Sequence, residues 1–294
     1  MGMIMVKTRY AQVGLGDRSI LFSWAITQQY ADSSELVAIC DSNPGRVELR
    51  RIMAQASGAD PACYPNEDFD RMISETQPDI VVVTTMDATH DQYICRAMEL
   101  GCDVVTEKPM TTDAQKCQRI IDTQKATGRR LRVTFNYRYA PFRTQVKDLL
   151  MSGVIGDIKS VDFHWMLDTT HGADYFRRWH RQKRNSGGLL VHKATHHFDL
   201  INWWLSTVPE TVYASGSRQF YTPETAQRYG FTRRSERCLD CPESINCPFF
   251  MDLKADGVRK TLYLEQEHHD GYFRDRCVFS AEIDIEDNIQ AVVN

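Results

Sequence analysis

The feature that most constrains this chain is a rhythm of short apolar runs and amphipathic stretches through its first 135 residues, opened by a glycine turn. Arg9-Tyr-Ala-Gln-Val13 reads as a strand that stops at Gly14. Leu36–Cys40, Ile80–Thr84, Val104-Val105 and Leu131–Phe135 read as further strands. Helical patterns fill the gaps, over about Ser19–Tyr30, Pro44–Ala56, His90–Leu100 and Thr112–Thr127. The last two end at Gly101 and Gly128, and glycine tolerates the left-handed conformation that closes a helix. Strand-helix alternation predicts a parallel sheet with right-handed crossovers, the doubly wound α/β class. Ile80–Val83 is apolar at every position, as a strand covered on both faces must be.

The rhythm changes after Asn136. A helix over about Phe142–Met151 is followed by strand-like Ile158–Trp165, a helix over Leu189–Leu205, and strands at Thr211–Ala214, Thr261–Leu264 and Cys277–Ile285. The expectation is therefore two domains, 1–136 and 137–294, the second α+β with a large open, mostly antiparallel sheet. Asp287–Asn294 reads as a strand cut off before its turn, which suggests a truncated chain.

Charge narrows the function classes. Lys and Arg total 35 against 39 Asp and Glu, a net of -4. That supplies no basic field for a phosphate backbone, so nucleic acid is not an expected partner. No run approaches the ~20 apolar residues of a membrane span. Met1–Val6 lacks the basic start and cleavage pattern of a secretion signal, and Val6 makes Gly2 a poor myristoylation site. Nine scattered cysteines then read as reduced thiols in a cytoplasm.

Three constellations carry chemistry. Gly14-Leu-Gly16-Asp17-Arg18-Ser19 follows a strand and opens a helix, the context of a dinucleotide site. Gly14 permits the tight turn, and Gly16 lets backbone approach a pyrophosphate at the helix N-terminus. Ser19 replaces a third glycine. Asp41, ending the second strand, is placed to accept from a ribose 2′-hydroxyl and repels a 2′-phosphate, favouring NAD over NADP. Thr106-Glu107-Lys108-Pro109 follows the last but one strand, at the sheet edge where ligands bind, and Lys108 there can polarise a substrate oxygen. In Gly187-Gly188…His192-Lys193…His196-His197…Asp199, helical spacing predicts His192, His196 and Asp199 on one face and Lys193 and His197 beside it. Histidine is the natural general base near neutral pH.

These pieces resemble the Gfo/Idh/MocA family of NAD(P)-dependent sugar and polyol dehydrogenases. The match comprises Gly14-x-Gly16, Asp41, Thr84-Thr85…His90, Glu107-Lys108-Pro109, Arg138 with Pro141, Gly153-Val-Ile-Gly156 and Gly187-Gly188…His196…Asp199, in family order up to about Leu205. The resemblance implies a Rossmann domain, an α/β domain whose open sheet mediates homo-oligomerisation, and a small carbohydrate or polyol substrate. It makes Lys108 the catalytic lysine and His196 the general acid/base. His192 stands where the family often has an acid, and is a further catalytic candidate; Arg138 joins these three as a substrate contact, and Thr85, His90, Glu107 and Lys108 itself join the cofactor residues. Met86 replaces a family proline. Two alternatives remain open: a relative that uses bound NAD transiently, in redox-assisted glycoside cleavage or epimerisation, and a non-catalytic NAD-binding regulator.

No metal is assigned to this site. Elsewhere, Cys238-x2-Cys241-x5-Cys247 forms a knuckle suited to tetrahedral zinc or an iron-sulfur centre, were Cys277, His268 or His269 to fold back as fourth ligand. The alternative is an ordinary reduced or disulfide-bonded loop. Aromatics from Phe163 to Trp179 suit sugar rings or a core. Arg177, Arg178, Arg181, Lys183 and Arg184 read as a solvated loop or a lid for an anionic ligand.

Overall fold

The computed structural model of the chain describes residues 6–294. The readings of the N-terminal pentapeptide and of Gly2 lie outside the described residues. The chain divides into two compact units. One holds the described residues up to Thr134 together with Asp252–Arg274; the other holds Phe135–Met251 and Asp275–Asn294.

The first unit is a six-stranded sheet, β1 (Thr8–Val13), β2 (Ser34–Asp41), β3 (Ala62–Pro65), β4 (Ile80–Val83), β5 (Asp103–Thr106) and β6 (Leu131–Val133). Every pairing is parallel, in the order β3-β2-β1-β4-β5-β6. The expected doubly wound sheet is present. The reversal of strand order lies between β1 and β4, where such sheets open a ligand crevice at their carboxyl ends. Its crossovers are α1 (Ser19–Trp24), α2 (Pro44–Ala56), α3 (Phe69–Thr76), α4 (His90–Glu99) and α5 (Ala114–Thr127). Capping fixes the starts of α2 and α5: Asn43 and Asp113 side chains accept from Arg46 N–H and Lys116 N–H. Val13, Ala38, Val81, Val83 and Val104 fill one face of the sheet with Ile94, Met98 and Ile120 from the helices. Leu15, Ile26, Ile39 and Val82 fill the other.

The second unit begins with α6 (Pro141–Met151) and α7 (Thr169–Arg177) and continues through α8 (Lys183–Ser186), α9 (Leu189–His192), α10 (Thr195–Leu205) and α11 (Pro223–Arg228). Its sheet, among the described residues, is an antiparallel pair of β7 (Val212–Ser217) and β8 (Asn288–Val293). Expected strands at Ile158–Trp165 and Cys277–Ile285 have no ladder partner here, and run as irregular chain. The alternation in Cys277–Ile285 instead reflects burial, because Val278, Phe279, Ile283 and Ile285 enter a core with Phe176, Tyr221 and Phe249. The expected strand Thr261–Leu264, which belongs to the first unit, is a helical turn, and the expected single helix Leu189–Leu205 is two. Ala194 N–H reaches back to Leu189 O, one residue beyond the helical partner, and the ladder restarts at Thr195.

Among the described residues, no helix is long and apolar enough to cross a membrane.

Candidate active site

In the first unit the turn between β1 and α1 is held by close backbone contact. Gly14 has φ +85°, and a Cβ there would lie 2.6 Å from Thr84 C and Thr85 N. Ser19 is fully buried, its hydroxyl donating to Gly16 O at 2.6 Å. The side chain that replaces the third glycine thus closes the turn itself.

Asp41 ends β2 with its carboxylate over this turn. Oδ2 accepts from Leu15 N–H at 2.6 Å, and Oδ1 accepts from Asn43 N–H at 2.8 Å and from Arg46 at 3.1 Å. Arg46 reaches Asp270 Oδ2 at 2.6 Å with the same nitrogen. Removing the Asp41 carboxylate would strip two backbone donors of their acceptor. Each charged hydrogen bond is worth about 1.5–3 kcal/mol. Asp41→Ala should therefore raise the NAD+ dissociation constant by at least about tenfold, measured by fluorescence titration.

Asp252–Arg274 reaches this same turn from more than two hundred residues away in sequence. Asp17 N–H donates to the Tyr263 hydroxyl at 2.8 Å, and Arg259 lies 3.7 Å from the Asp17 carboxylate. Asn43 donates to Gln266 O at 2.9 Å. A Cβ on Gly45 would lie 1.7 Å from Gln266 Oε1, so this segment sits flush on the start of α2. Arg46, Tyr263, Gln266 and Asp270 were not among the expected site residues. Arg46 is within reach of a local reading, five residues after Asp41; the others carry no local signal.

At the other side of the crevice, Arg18 donates to Glu107 Oε1 at 2.5 Å, and Lys108 N–H donates to Glu107 Oε2 at 3.0 Å. Buried Glu107 thereby links the first turn to the loop after β5. His90, also buried, lies with Nδ1 3.0 Å from Pro109 O and Nε2 3.1 Å from Thr85 O. It props the loops after β4 and β5 rather than facing outward. Met86, in place of the family proline, adopts φ -71°, the value proline would impose.

These residues fit a nicotinamide adenine dinucleotide. Gly14 keeps open a cradle that a Cβ would fill, and Asp41 is a buried carboxylate at the end of β2, the position from which such a site would meet a ribose.

In the second unit His196 lies on α10, buried beside Tyr137 with ring centroids 5.1 Å apart. Asp199, one turn on, pairs with Arg138, which donates from Nε at 2.9 Å. His192 ends α9, on the far side of the helix break. Its ring packs against His180 at 4.1 Å, Tyr175 at 5.6 Å and Trp179 at 5.7 Å. The break corrects the expectation that one helical face carries His192, His196 and Asp199. His197 and Lys193 are shifted chiefly by burial. Burial, helped by the Lys193 and Arg143 charges, pushes His197 down to about 4, and burial lowers Lys193. His197 is neutral at pH 7, with its ring 4.9 Å from that of Trp165.

The basic stretch is a solvated loop only in part, since Lys183 and Arg184 are exposed and Arg177 and Arg181 are not. Arg177 and Arg181 are each 3% exposed. Arg177 donates to Phe249 O at 2.9 Å, and Arg181 pairs with Glu282 at 3.0 Å. Phe163 and Trp165, with Lys193 and His197, instead line a cavity of about 1200 Å³ that extends to β8.

Comparison with known proteins agrees with this geometry. Residues 8–135 match the NAD-binding Rossmann fold of the Gfo/Idh/MocA oxidoreductase family, and residues 147–254 match its C-terminal alpha/beta domain. YteT of Bacillus subtilis (strain 168), an oxidoreductase by name, is 36% identical over 95% of this chain and 67% of its own. The inositol 2-dehydrogenase/D-chiro-inositol 3-dehydrogenase of Lactiplantibacillus plantarum is 29% identical over 79% of this chain and 63% of its own. Among solved structures, the WlbA dehydrogenase of Bordetella pertussis, in complex with NADH and UDP-GlcNAcA, superposes with a TM-score of 0.60 at 29% identity, covering 72% of this chain and 63% of that one. The chain thus spans about two thirds of the length of these relatives. With its strand order, its glycine turn and these matches in agreement, the chain belongs to the Gfo/Idh/MocA family of NAD-binding oxidoreductases.

Proposed function

We propose that the protein is an NAD-dependent dehydrogenase acting on a hydroxyl of a sugar, glycoside or polyol. The observation that carries the reading is the first unit's turn, with Gly14 seated on the Thr84-Thr85 backbone beneath the buried Asp41 carboxylate. Gly14, Gly16, Asp17, Arg18, Ser19, Asp41, Thr85, His90 and Glu107 form or brace the cofactor site. Bound NAD supplies the hydride acceptor; the protein supplies position and charge. Lys108 polarises the substrate oxygen, His196 takes the hydroxyl proton, and Arg138 and His192 are further substrate contacts. Relatives named for inositol dehydrogenation and for a nucleotide-sugar complex support the substrate class.

A second reading is favoured by one observation, the packing of Asp252–Arg274 over the turn. A dinucleotide held beneath such a strap exchanges slowly, which suits a reaction that oxidises and re-reduces within one turnover, such as redox-assisted glycoside cleavage or epimerisation.

One experiment separates the readings. The protein is mixed with NAD+ and a panel of inositols, sugars, glycosides and uronic acids, and absorbance at the NADH band is followed. A substrate-dependent rise supports net dehydrogenation. Substrate conversion without that rise, with nucleotide released only on denaturation, supports transient redox. No conversion of any panel member, with NAD bound, counts against both.

A further inference from the structure

The four cysteines of the second unit, distant in sequence, are brought to one point. An antiparallel bridge pairs Arg237 with Arg276. Cys238 N–H donates to Asp275 O at 2.8 Å, and Cys277 N–H donates to Glu236 O at 2.7 Å. The bridge therefore sets Cys277 beside the knuckle, which turns through Cys241 N–H to Cys238 O at 3.1 Å and Cys247 N–H to Glu243 O at 3.0 Å. Cys238, Cys241, Cys247 and Cys277 all line one cavity of about 20 Å³, walled by Phe231, Phe249 and Phe279.

Three of the sulfurs also receive backbone donors. Phe249 N–H faces Cys247, Phe279 N–H faces Cys277, and Met251 N–H faces Cys238. In the first two the donor lies two residues after the cysteine, the form of a metal-binding knuckle, where amides stabilise thiolate charge. Buried Arg177 places Nη1 3.8 Å from Cys238 Sγ, adding a positive charge. Donors aimed at sulfur suit thiolates.

We propose that Cys238, Cys241, Cys247 and Cys277 form a tetrathiolate site for a single zinc ion. A space of about 20 Å³ holds one atom, since one water needs roughly 10–15 Å³ of such volume. That small space favours a single ion over a cluster of several irons and sulfides. Among the described residues no group of three or more His, Cys, Asp and Glu side chains is already closed to ligand geometry. Binding thus requires the cysteine side chains to rotate inward on backbone that is already in place.

The site has a structural consequence. The chain leaves the second unit after Met251 and re-enters it at Asp275. Both residues are hydrogen-bonded to Cys238, Met251 at the sulfur and Asp275 at the amide. The ion therefore clamps the two roots of the segment that carries Tyr263 to Asp17.

The test is metal analysis of the full chain purified without chelator. The expected result is one zinc per chain, released by a mercurial thiol reagent. Cys241→Ser and Cys247→Ser should lose at least about tenfold of it, while Cys63→Ser, at an exposed cysteine elsewhere, keeps it. Should the variants fail to fold, cobalt exchange into wild-type protein decides: tetrahedral thiolate coordination gives strong visible bands with sulfur-to-cobalt charge transfer. Substoichiometric metal with no cobalt spectrum, iron with acid-labile sulfide, or disulfides among these four cysteines in mass analysis would each overturn the proposal.

Discussion

Lys108→Ala should lower kcat of the proposed dehydrogenation by about 10²–10³, the cost of losing one preorganised stabiliser of a developing oxyanion. The argument starts from the fold. Lys108 follows β5 at the carboxyl edge of the sheet, two strands from the glycine turn and on the side of the strand-order reversal. Glu107 fixes its backbone, taking Lys108 N–H at 3.0 Å while also holding Arg18 at 2.5 Å. As the hydroxyl proton leaves, charge accumulates on the substrate oxygen until hydride departure forms the carbonyl, and an ammonium nearby stabilises that alkoxide-like state more than the neutral alcohol. Affinity for NAD+ should stay within about threefold, since Lys108 acts on substrate and the loss falls on the transition state. Lys108→Arg keeps the charge but broadens it into a planar fork, so partial recovery is expected. Steady-state kinetics alongside NAD+ titration makes the separation. A Lys108→Ala enzyme with kcat within twofold of wild type would falsify the assignment.

Sequence periodicity carried the first unit well because a parallel sheet buries both faces of its strands. Ile80–Val83 had to be uniformly apolar, and glycine or a capping side chain marks several helix ends. The pair that escaped, β3 and α3, shows the limit. Ala-Cys-Tyr-Pro is four residues at a sheet edge, too short for a period and ending in proline. Later in the chain, where Asp252–Arg274 returns to the first unit, the same signals misled. Thr-Leu-Tyr-Leu has the β-branched and aromatic content of a strand, yet Leu262 and Tyr263 are buried in a helical turn whose side chains close on the glycine turn. Tertiary contact there outweighs propensity. The candidate cofactor residues were legible where chemistry is local, as at Gly14, Asp41 and Glu107. Tyr263, Gln266 and Asp270 were not, since only folding brings them to α2 and the turn. Arg177 and Arg181 were misplaced for a related reason: a run of cations looks solvated until distant partners such as the buried Phe249 O and the Glu282 carboxylate are known.

Gly14→Ala should cost far more than its single methyl suggests, and Gly58→Ala provides the scale. Both glycines have positive φ, +85° and +79°. Alanine in that region carries backbone strain of about 1–3 kcal/mol at either site. At Gly58 nothing lies within 4 Å of the added Cβ, so strain is the whole cost. At Gly14 the Cβ would also stand 2.6 Å from Thr84 C and Thr85 N and 2.7 Å from Thr84 O. These are backbone atoms of the β4 exit and cannot swing aside as a side chain would. Relief requires the ends of β1 and β4 to part, and overpacking of this kind adds about 1–3 kcal/mol. Parting them also displaces the Leu15 amide from Asp41 and Thr84 from the Gly14 carbonyl, to which its hydroxyl donates at 2.6 Å. Gly14→Ala should therefore melt several degrees below Gly58→Ala and bind NAD+ at least about a hundredfold more weakly, a difference of roughly 2.7 kcal/mol. Gly58→Ala should bind as wild type does. Equal melting temperatures and equal NAD+ affinities for the two variants would show that the turn yields freely, and would remove the close Gly14–Thr84 contact from the account of how this chain holds its cofactor.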